Sequence, residues 1–274
     1  SRGVEIGLEL DEGGGIDQQG GQYVAQIYPA EKGYADFEFS MKDPGGHSSQ
    51  PGEHSSLGII GKTACILEEN VLPQRLTKPA MAPFMEEELA QLFKDPEATW
   101  EALKSILAQN RTYNAMTRTT TAVTMMKGSD QANILPERSW LVINNRLLAG
   151  DTIESLQAFY ESIVPEGVEV KLLKGHNMPT VSSTDTVGYR LIQSIVEKKY
   201  PGITMMPSML LGGTDARYYC DICPTHSAYP FTAMPPFNSK SRGAHQVNER
   251  TDIDVLEDDV EFYVELFKAY GSAQ

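Results

Sequence analysis

Residues able to do chemistry gather in a few stretches of the 274-residue chain. In Leu210-Leu-Gly-Gly-Thr-Asp-Ala-Arg-Tyr-Tyr219 an apolar run from Met205 to Leu211 stops at Gly212 and Gly213. Thr214 and Asp215 are good N-cap residues for a helix that should follow. A strand ending in paired glycines and opening into a capped helix leaves backbone N–H groups bare. In an α/β sheet ligands tend to bind at such a point, and the helix end favours anions. Further on, Gly243-Ala-His-Gln-Val-Asn-Glu-Arg250 puts His245 in a polar loop before a long amphipathic helix. That is a common place for a metal-binding imidazole, and Asn248 and Glu249 could orient it. A lone loop histidine is as readily solvated or structural. Asp11 and Glu12 follow a short strand beside three glycines. The pair could ligate a hard or borderline cation, or simply end the strand.

Other candidates are more dispersed. His47, in the loop Gly45-Gly-His-Ser-Ser-Gln-Pro51, either donates to a substrate or is a solvated turn residue. Arg146 shares a strand face with Trp140, Val142 and Asn144, where a guanidinium clamps a carboxylate or pairs with an internal acid. Asn133 leads into that strand, with turn formation as its plain role. Cys220-Asp-Ile-Cys223 has no second pair to complete a metal site, so a structural role is expected. His54, His176 and His226 have no partner that can be named. No Gly-x-Ser-x-Gly elbow, P-loop or dinucleotide fingerprint is present.

The elements that must position these residues follow from periodicity. Val4–Leu10 and Gln22–Tyr28 read as strands, and Phe37, Phe39 and Met41 alternate with polar residues in another. Leu57, Ile60, Ala64, Leu67 and Val71 recur at helical spacing. Residues 73–85 are proline-rich, and short helices are expected at Glu86–Lys94 and Glu97–Asn110. Thr119–Lys127 and Trp140–Leu148 are strands. Asp151 should cap the next helix with Glu154, burying Ile153, Leu156, Phe159, Tyr160 and Ile163, before a strand through Val168, Val170 and Leu172. Thr186–Lys199 is helical, and the last helix should bury Leu256, Val260, Tyr263, Phe267 and Tyr270. Without the 73–118 insertion, residues 34–175 run strand, helix, strand, strand, helix, strand. This is the split βαβ, ferredoxin-like α+β arrangement. It interrupts an α/β domain made of residues 1–33 and 176–274. Its edge strand invites pairing with a second copy.

Composition bounds the partners. Hydrophobic residues at 41% and charged residues at 22% suit a globular chain. A net charge of -14 argues against nucleic acid, which needs basic patches. No apolar run reaches the roughly 18 residues that span a bilayer, so no membrane partner is expected. Three cysteines build no disulfide framework, which fits a reducing compartment such as the cytoplasm. The opening shows no signal-peptide succession, yet it enters a strand at once, as if cut from a longer chain whose targeting segment lies elsewhere.

Taken together, Leu10-Asp-Glu-Gly-Gly14, Glu31-Lys-Gly-Tyr34, Gly45-Gly-His-Ser-Ser-Gln-Pro51, Gly212-Gly-Thr-Asp-Ala-Arg217 and Gly243-Ala-His-Gln-Val-Asn-Glu249 resemble a family. It is that of the cocatalytic zinc metallopeptidases, including carboxypeptidase S, Gly-X carboxypeptidase, aminoacylase and carnosinase. The motifs stand in the family's order, closest to the carboxypeptidase S branch. The resemblance implies a zinc-bearing α/β domain with an inserted lid that makes a homodimer. It implies Asp11 as a carboxylate ligand of one zinc, with Glu12 the lesser candidate, and His245 as the ligand of the other. It implies that His47 reaches into the partner subunit's site to stabilise an oxyanion, and that Asn133 and Arg146 hold the substrate carboxylate. Gly212, Gly213 and Thr214 would line the pocket.

The chain departs from the family by lacking its upstream His-x-Asp and Glu-Glu motifs; Glu86-Glu-Glu88 lies in the lid insertion. The expectation is therefore a partial hydrolase of the amide bond next to a free carboxylate, in small peptides or N-acyl amino acids. Two divalent cations need several ligands and a bridging carboxylate, so zinc binding should be weak or absent and the chain inactive alone. The alternatives are a non-catalytic dimerisation module, or an aminopeptidase or dipeptidase of the same superfamily.

Overall fold

The computed structural model describes residues 5–19, 21–77, 95, 99–233, 247–251 and 253–273. The strands in chain order are β1 (Glu9–Asp11), β2 (Gly15–Gln19), β3 (Gln22–Glu31), β4 (Gly33–Lys42), β5 (Gly46–His47), β6 (Thr120–Lys127), β7 (Ile134–Leu135), β8 (Arg138–Leu147), β9 (Glu169–His176), β10 (Thr204–Leu210) and β11 (Ala228–Pro230). The helices are α1 (Ser56–Glu69), α2 (Trp100–Gln109), α3 (Arg111–Met116), α4 (Ile153–Ile163), α5 (Val187–Lys199), α6 (Ala216–Tyr219) and α7 (Ile253–Ser272). The expected helix Glu86–Lys94 lies outside the described residues.

The chain separates into two compact units. The first comprises Ser1–Glu31, Leu76–Ser105 and Pro179–Gln274, the second Lys32–Arg75 and Ile106–Met178. Residues 76–105, expected within the 34–175 insertion, thus group with the first unit.

The second unit contains a four-stranded sheet of order β6-β8-β4-β9, with every pairing antiparallel. Strand alternation explains it: Ala35, Phe37 and Phe39 are fully buried while Tyr34, Asp36 and Glu38 lie on the other face. Phe37 and Phe39 meet the Tyr160 ring edge-on, with centroids 5.6 and 5.5 Å away. Ile60 and Leu67 of α1 and Leu156 of α4 complete this core. The α1 cap is Ser55, whose hydroxyl accepts from Gly58 N; Leu57 and Val71, expected inside, are exposed. Helix α4 corrects another expectation. Its cap is Thr152, paired reciprocally with Ser155, while Asp151 instead binds Arg75 at 2.8 Å and accepts from Thr119. A carboxylate claimed by a guanidinium leaves the capping to the next hydroxyl.

The first unit has a three-stranded sheet of order β10-β3-β2, with β10 and β3 parallel, and a short parallel pair of β1 with β11. Of the expected Val4–Leu10 strand, only Glu9 and Leu10 pair in a ladder among the described residues, and the pairing runs on to Asp11; Val4 lies outside them. Helices α5 and α7 cover a core of Ile27, Ile192, Tyr229, Phe231, Phe262 and Leu266. The buried stripe of α7 is Val255, Phe262 and Leu266; Leu256, Val260 and Phe267, expected inside, face solvent. The helix is apolar over an arc wider than one packing face, so periodicity does not select the buried part. Among the described residues no helix is long and apolar enough to cross a membrane.

Candidate functional site

In the first unit the carboxyl ends of parallel strands converge on the loop that follows β10. Asp11 ends β1, and Glu31 ends β3 in register with Leu210 of β10. Glu31, only 2% exposed, accepts at Oε2 from Thr214 N (2.8 Å) and Thr214 Oγ1 (2.9 Å). Asp11 Oδ2 accepts from Ala216 N at 2.6 Å, and Oδ1 from Glu12 N at 2.9 Å. The backbone donors expected to be bare are therefore already bound by the protein's own carboxylates. The helix after them is a single turn, α6, and Asp215 makes no side-chain cap bond. Ala216 N is served by Asp11 and, at 3.3 Å, by Thr214 Oγ1. Arg217 closes this network by donating to Thr214 O at 2.7 Å.

The electrostatics of this end are strongly acidic. Burial, reinforced by Asp11, Glu12, Glu31 and Asp215, pushes the Glu9 carboxyl up to about 7. Burial also works against an ionised Asp11, but hydrogen bonds from Glu12, Ala216 and Thr214 outweigh it and hold Asp11 below the usual carboxylate range. Its hydrogen bond to Asp11 raises Glu12, so the adjacent carboxyls titrate as a pair. Such a field would be relieved by a cation. The donors at hand do not complete a site for one: among the described residues no group of three or more His, Cys, Asp or Glu side chains is arranged to hold a metal. His245, and Glu86 to Glu88, lie outside the described residues. Cys220 and Cys223 are buried and free, their sulfurs hydrogen-bonded to Ser182 and to Ile6 O, as a structural role requires.

In the second unit the structure brings His47 and Asn133 together. Strand β5 pairs with β7, His47 stands opposite Ile134, and Ser48 N donates to Asn133 O at 3.1 Å. The His47 ring is exposed, and its Nδ1 lies 2.8 Å from Ser49 Oγ. Arg146 is elsewhere. It stands near the far end of β8, opposite Tyr34 and Thr120, with its guanidinium 4.8 Å from the centre of the Tyr34 ring. From Arg138, where β8 begins just after Asn133, to Arg146 is about 26 Å along the strand at roughly 3.3 Å per residue. Among the described residues no carboxylate forms an ion pair with Arg146. Beside it lies Lys32, fully buried, its Nζ donating to Arg118 O at 2.6 Å. Burial and the neighbouring Arg146 press Lys32 down to about 7. Neither Glu31 nor Lys32 was singled out by residue type. Their only signal was the Glu31-Lys-Gly-Tyr34 motif.

A family model described as peptidase family M20/M25/M40 matches residues 1–269. The N-fatty-acyl-amino acid synthase/hydrolase PM20D1.1 of Danio rerio is 32% identical, over 98% of this chain and 54% of its own length. Probable carboxypeptidase S-like 2 of Dictyostelium discoideum is 28% identical, over 89% of this chain and 48% of its own. The crystal structure of an M20 family metallo-carboxypeptidase, Sso-CP2 from Sulfolobus solfataricus, shares the fold at a TM-score of 0.60 and 17% identity, covering 89% of this chain and 60% of that one. The chain spans about half the length of the curated relatives it matches.

Proposed function

Because the chain belongs to peptidase family M20/M25/M40, we propose that it is part of a hydrolase cleaving the amide bond next to a free carboxylate, in N-acyl amino acids or small peptides. The observation that carries this reading is the meeting of Asp11, Glu31 and the Gly212–Ala216 loop at the carboxyl ends of parallel strands. In α/β sheets that is where ligands are held. The names of the relatives, an N-fatty-acyl-amino acid synthase/hydrolase and a carboxypeptidase S-like protein, point to the same substrate class. Arg146, packed on Tyr34 and paired with no acid among the described residues, is suited to clamp the substrate carboxylate.

Zinc, which in this family supplies Lewis-acid chemistry, would take Asp11 and His245 as one ligand each. The sequence carries neither the His-x-Asp motif nor the Glu-Glu pair upstream that would complete such a centre, so the chain is read as inactive alone. Metal analysis and turnover of an N-acyl amino acid by the isolated chain test this. The expected result is less than one zinc per chain and no hydrolysis. About two zincs with turnover would overturn it.

The second unit, with its split βαβ order, is read as a ferredoxin-like lid that dimerises. The register of β8 supports a two-chain site, since Arg138, which follows Asn133 closely in sequence, and Arg146 stand near opposite ends of that strand. Light scattering should give a dimer mass, and a monomer would remove the lid reading. A non-catalytic module would also dimerise. It is separated from the hydrolase by whether the longer native polypeptide turns over substrate.

A further inference from the structure

Three cationic side chains meet at one end of the four-stranded sheet, and no acid among the described residues answers them. Arg146 of β8 stands opposite Tyr34 on β4 and Thr120 on β6, so two residues back along those neighbours lie Lys32 and Arg118. Lys32 Nζ donates to Arg118 O at 2.6 Å, which ties the two segments across the end of β8. Arg118 is half-buried, and its Nε is shut off from water with no hydrogen-bond partner among the described residues. Asp151, whose charge reaches Lys32, is already held by Arg75 at 2.8 Å and accepts from Thr119. Positive charge gathered out of water without a counter-ion is costly, and a bound anion offsets that cost.

We propose that Arg118, with Lys32 beside it, forms a second anion subsite next to Arg146, and that it selects substrates whose terminal amino acid carries an acidic side chain. The inference rests on the reading of Arg146 as the clamp of the substrate carboxylate. One fork saturates one carboxylate bidentately, so a substrate with a single carboxylate leaves Arg118 and Lys32 unanswered. Two residues along the strand are about 7 Å at roughly 3.3 Å per residue, a step that long guanidinium side chains shorten easily. The two carboxyl groups of one aspartyl or glutamyl residue suit that spacing. Arg118 is thereby a specificity-determining residue.

Calorimetric titration of the 274-residue chain with N-acetyl-L-glutamate and with its neutral isostere N-acetyl-L-glutamine tests this. The glutamate should bind roughly 10- to 100-fold more tightly. Arg118→Met should bring the ratio towards parity, Arg118→Lys should keep part of it, and Arg146→Met should weaken both ligands. A merely structural Arg118 would not move the ratio. Parity in the wild type, a ratio that survives Arg118→Met, or binding of neither ligand each overturns the subsite. Should Arg118→Met fail to fold, the wild-type ratio and Arg118→Lys still decide. The hydrolase reading is judged apart, by turnover of N-acyl amino acids in the longer native polypeptide: turnover there with parity here removes the second subsite alone, and no turnover removes the reading on which it rests.

Discussion

In the second unit β4 and β8 pair along the full ten residues of each, and the sheet they centre buries Phe37, Phe39 and Tyr160 against α1 and α4. In the first unit β1 and β11 pair over three residues, and α7 leaves much of its apolar surface in water. The same chain has thus built one unit that satisfies itself and one that does not. The contrast extends to polar groups. The second unit buries an Asn145–Tyr160–Thr121 network within its sheet and helix, with Tyr160 Oη donating to Asn145 Oδ1 at 2.5 Å. The first unit gathers like charges around one loop, and its carboxylates satisfy backbone donors at the expense of repelling each other. Apolar packing dominates the one unit and clustered carboxylates mark the other.

The sharpest way to break this comparison uses one residue type in both places. Phe37→Ala empties the centre of the second core and should cost about 3–5 kcal/mol in urea unfolding. Phe267→Ala, on the exposed face of α7, should change stability by less than about 0.5 kcal/mol in the isolated chain. Comparable losses at both positions would show that the outer face of α7 is covered after all.

Lys32 gives the next largest effect, through pH. Its folded-state value is about 7, against 10.5 for an exposed lysine, because burial and Arg146 penalise the ammonium. Between these limits the unfolded chain holds a proton that the folded chain has released, so stability rises with pH across that window and is level below it. The contribution is on the order of 2–4 kcal/mol. Lys32→Met should remove this slope, so its advantage over the wild type at pH 7 should shrink steadily towards pH 10. Parallel stability curves for the two proteins would mean that Lys32 keeps its charge in the folded state.

Much of this was legible from periodicity and much was not. The first strand of the second unit follows from Phe37, Phe39 and Met41 recurring at every second position, a signal that needs no distant partner. The grip of Glu31 on Thr214 joins residues 183 apart, and that of Asp11 on Ala216 joins residues 205 apart. No local pattern encodes such pairs, so the loop's donors looked free when they are filled. The buried stripe of α7 failed for a different reason, since two adjoining apolar arcs offer two equally good answers. For the site, motif order pointed to Asp11, His47 and Arg146, while the separation of His47 from Arg146 along β8 emerged only with the strand register.

Glu31→Ala addresses the acidic loop directly. It strands the N–H and hydroxyl of Thr214, which is 5% exposed, and should cost about 1–3 kcal/mol. The loss should be confined to the first unit, with faster amide exchange at Thr214 and unchanged protection in β4 and β8. Spread of the effect into the four-stranded sheet would mean that the units do not hold their stability separately.

The smallest effect tests what keeps α7 on its own unit. Lys198 on α5 meets Glu265 on α7 at 3.0 Å, but the two side chains are 73% and 48% exposed. Water and salt screen such a pair, so Lys198→Ala should cost no more than about 0.5 kcal/mol, and added salt should not weaken the wild type measurably. The helices are held instead by Ile192, Ile195, Phe262 and Leu266, whose burial salt does not touch. A loss above about 1.5 kcal/mol in Lys198→Ala would place the first unit's cohesion in surface charge rather than in its apolar core.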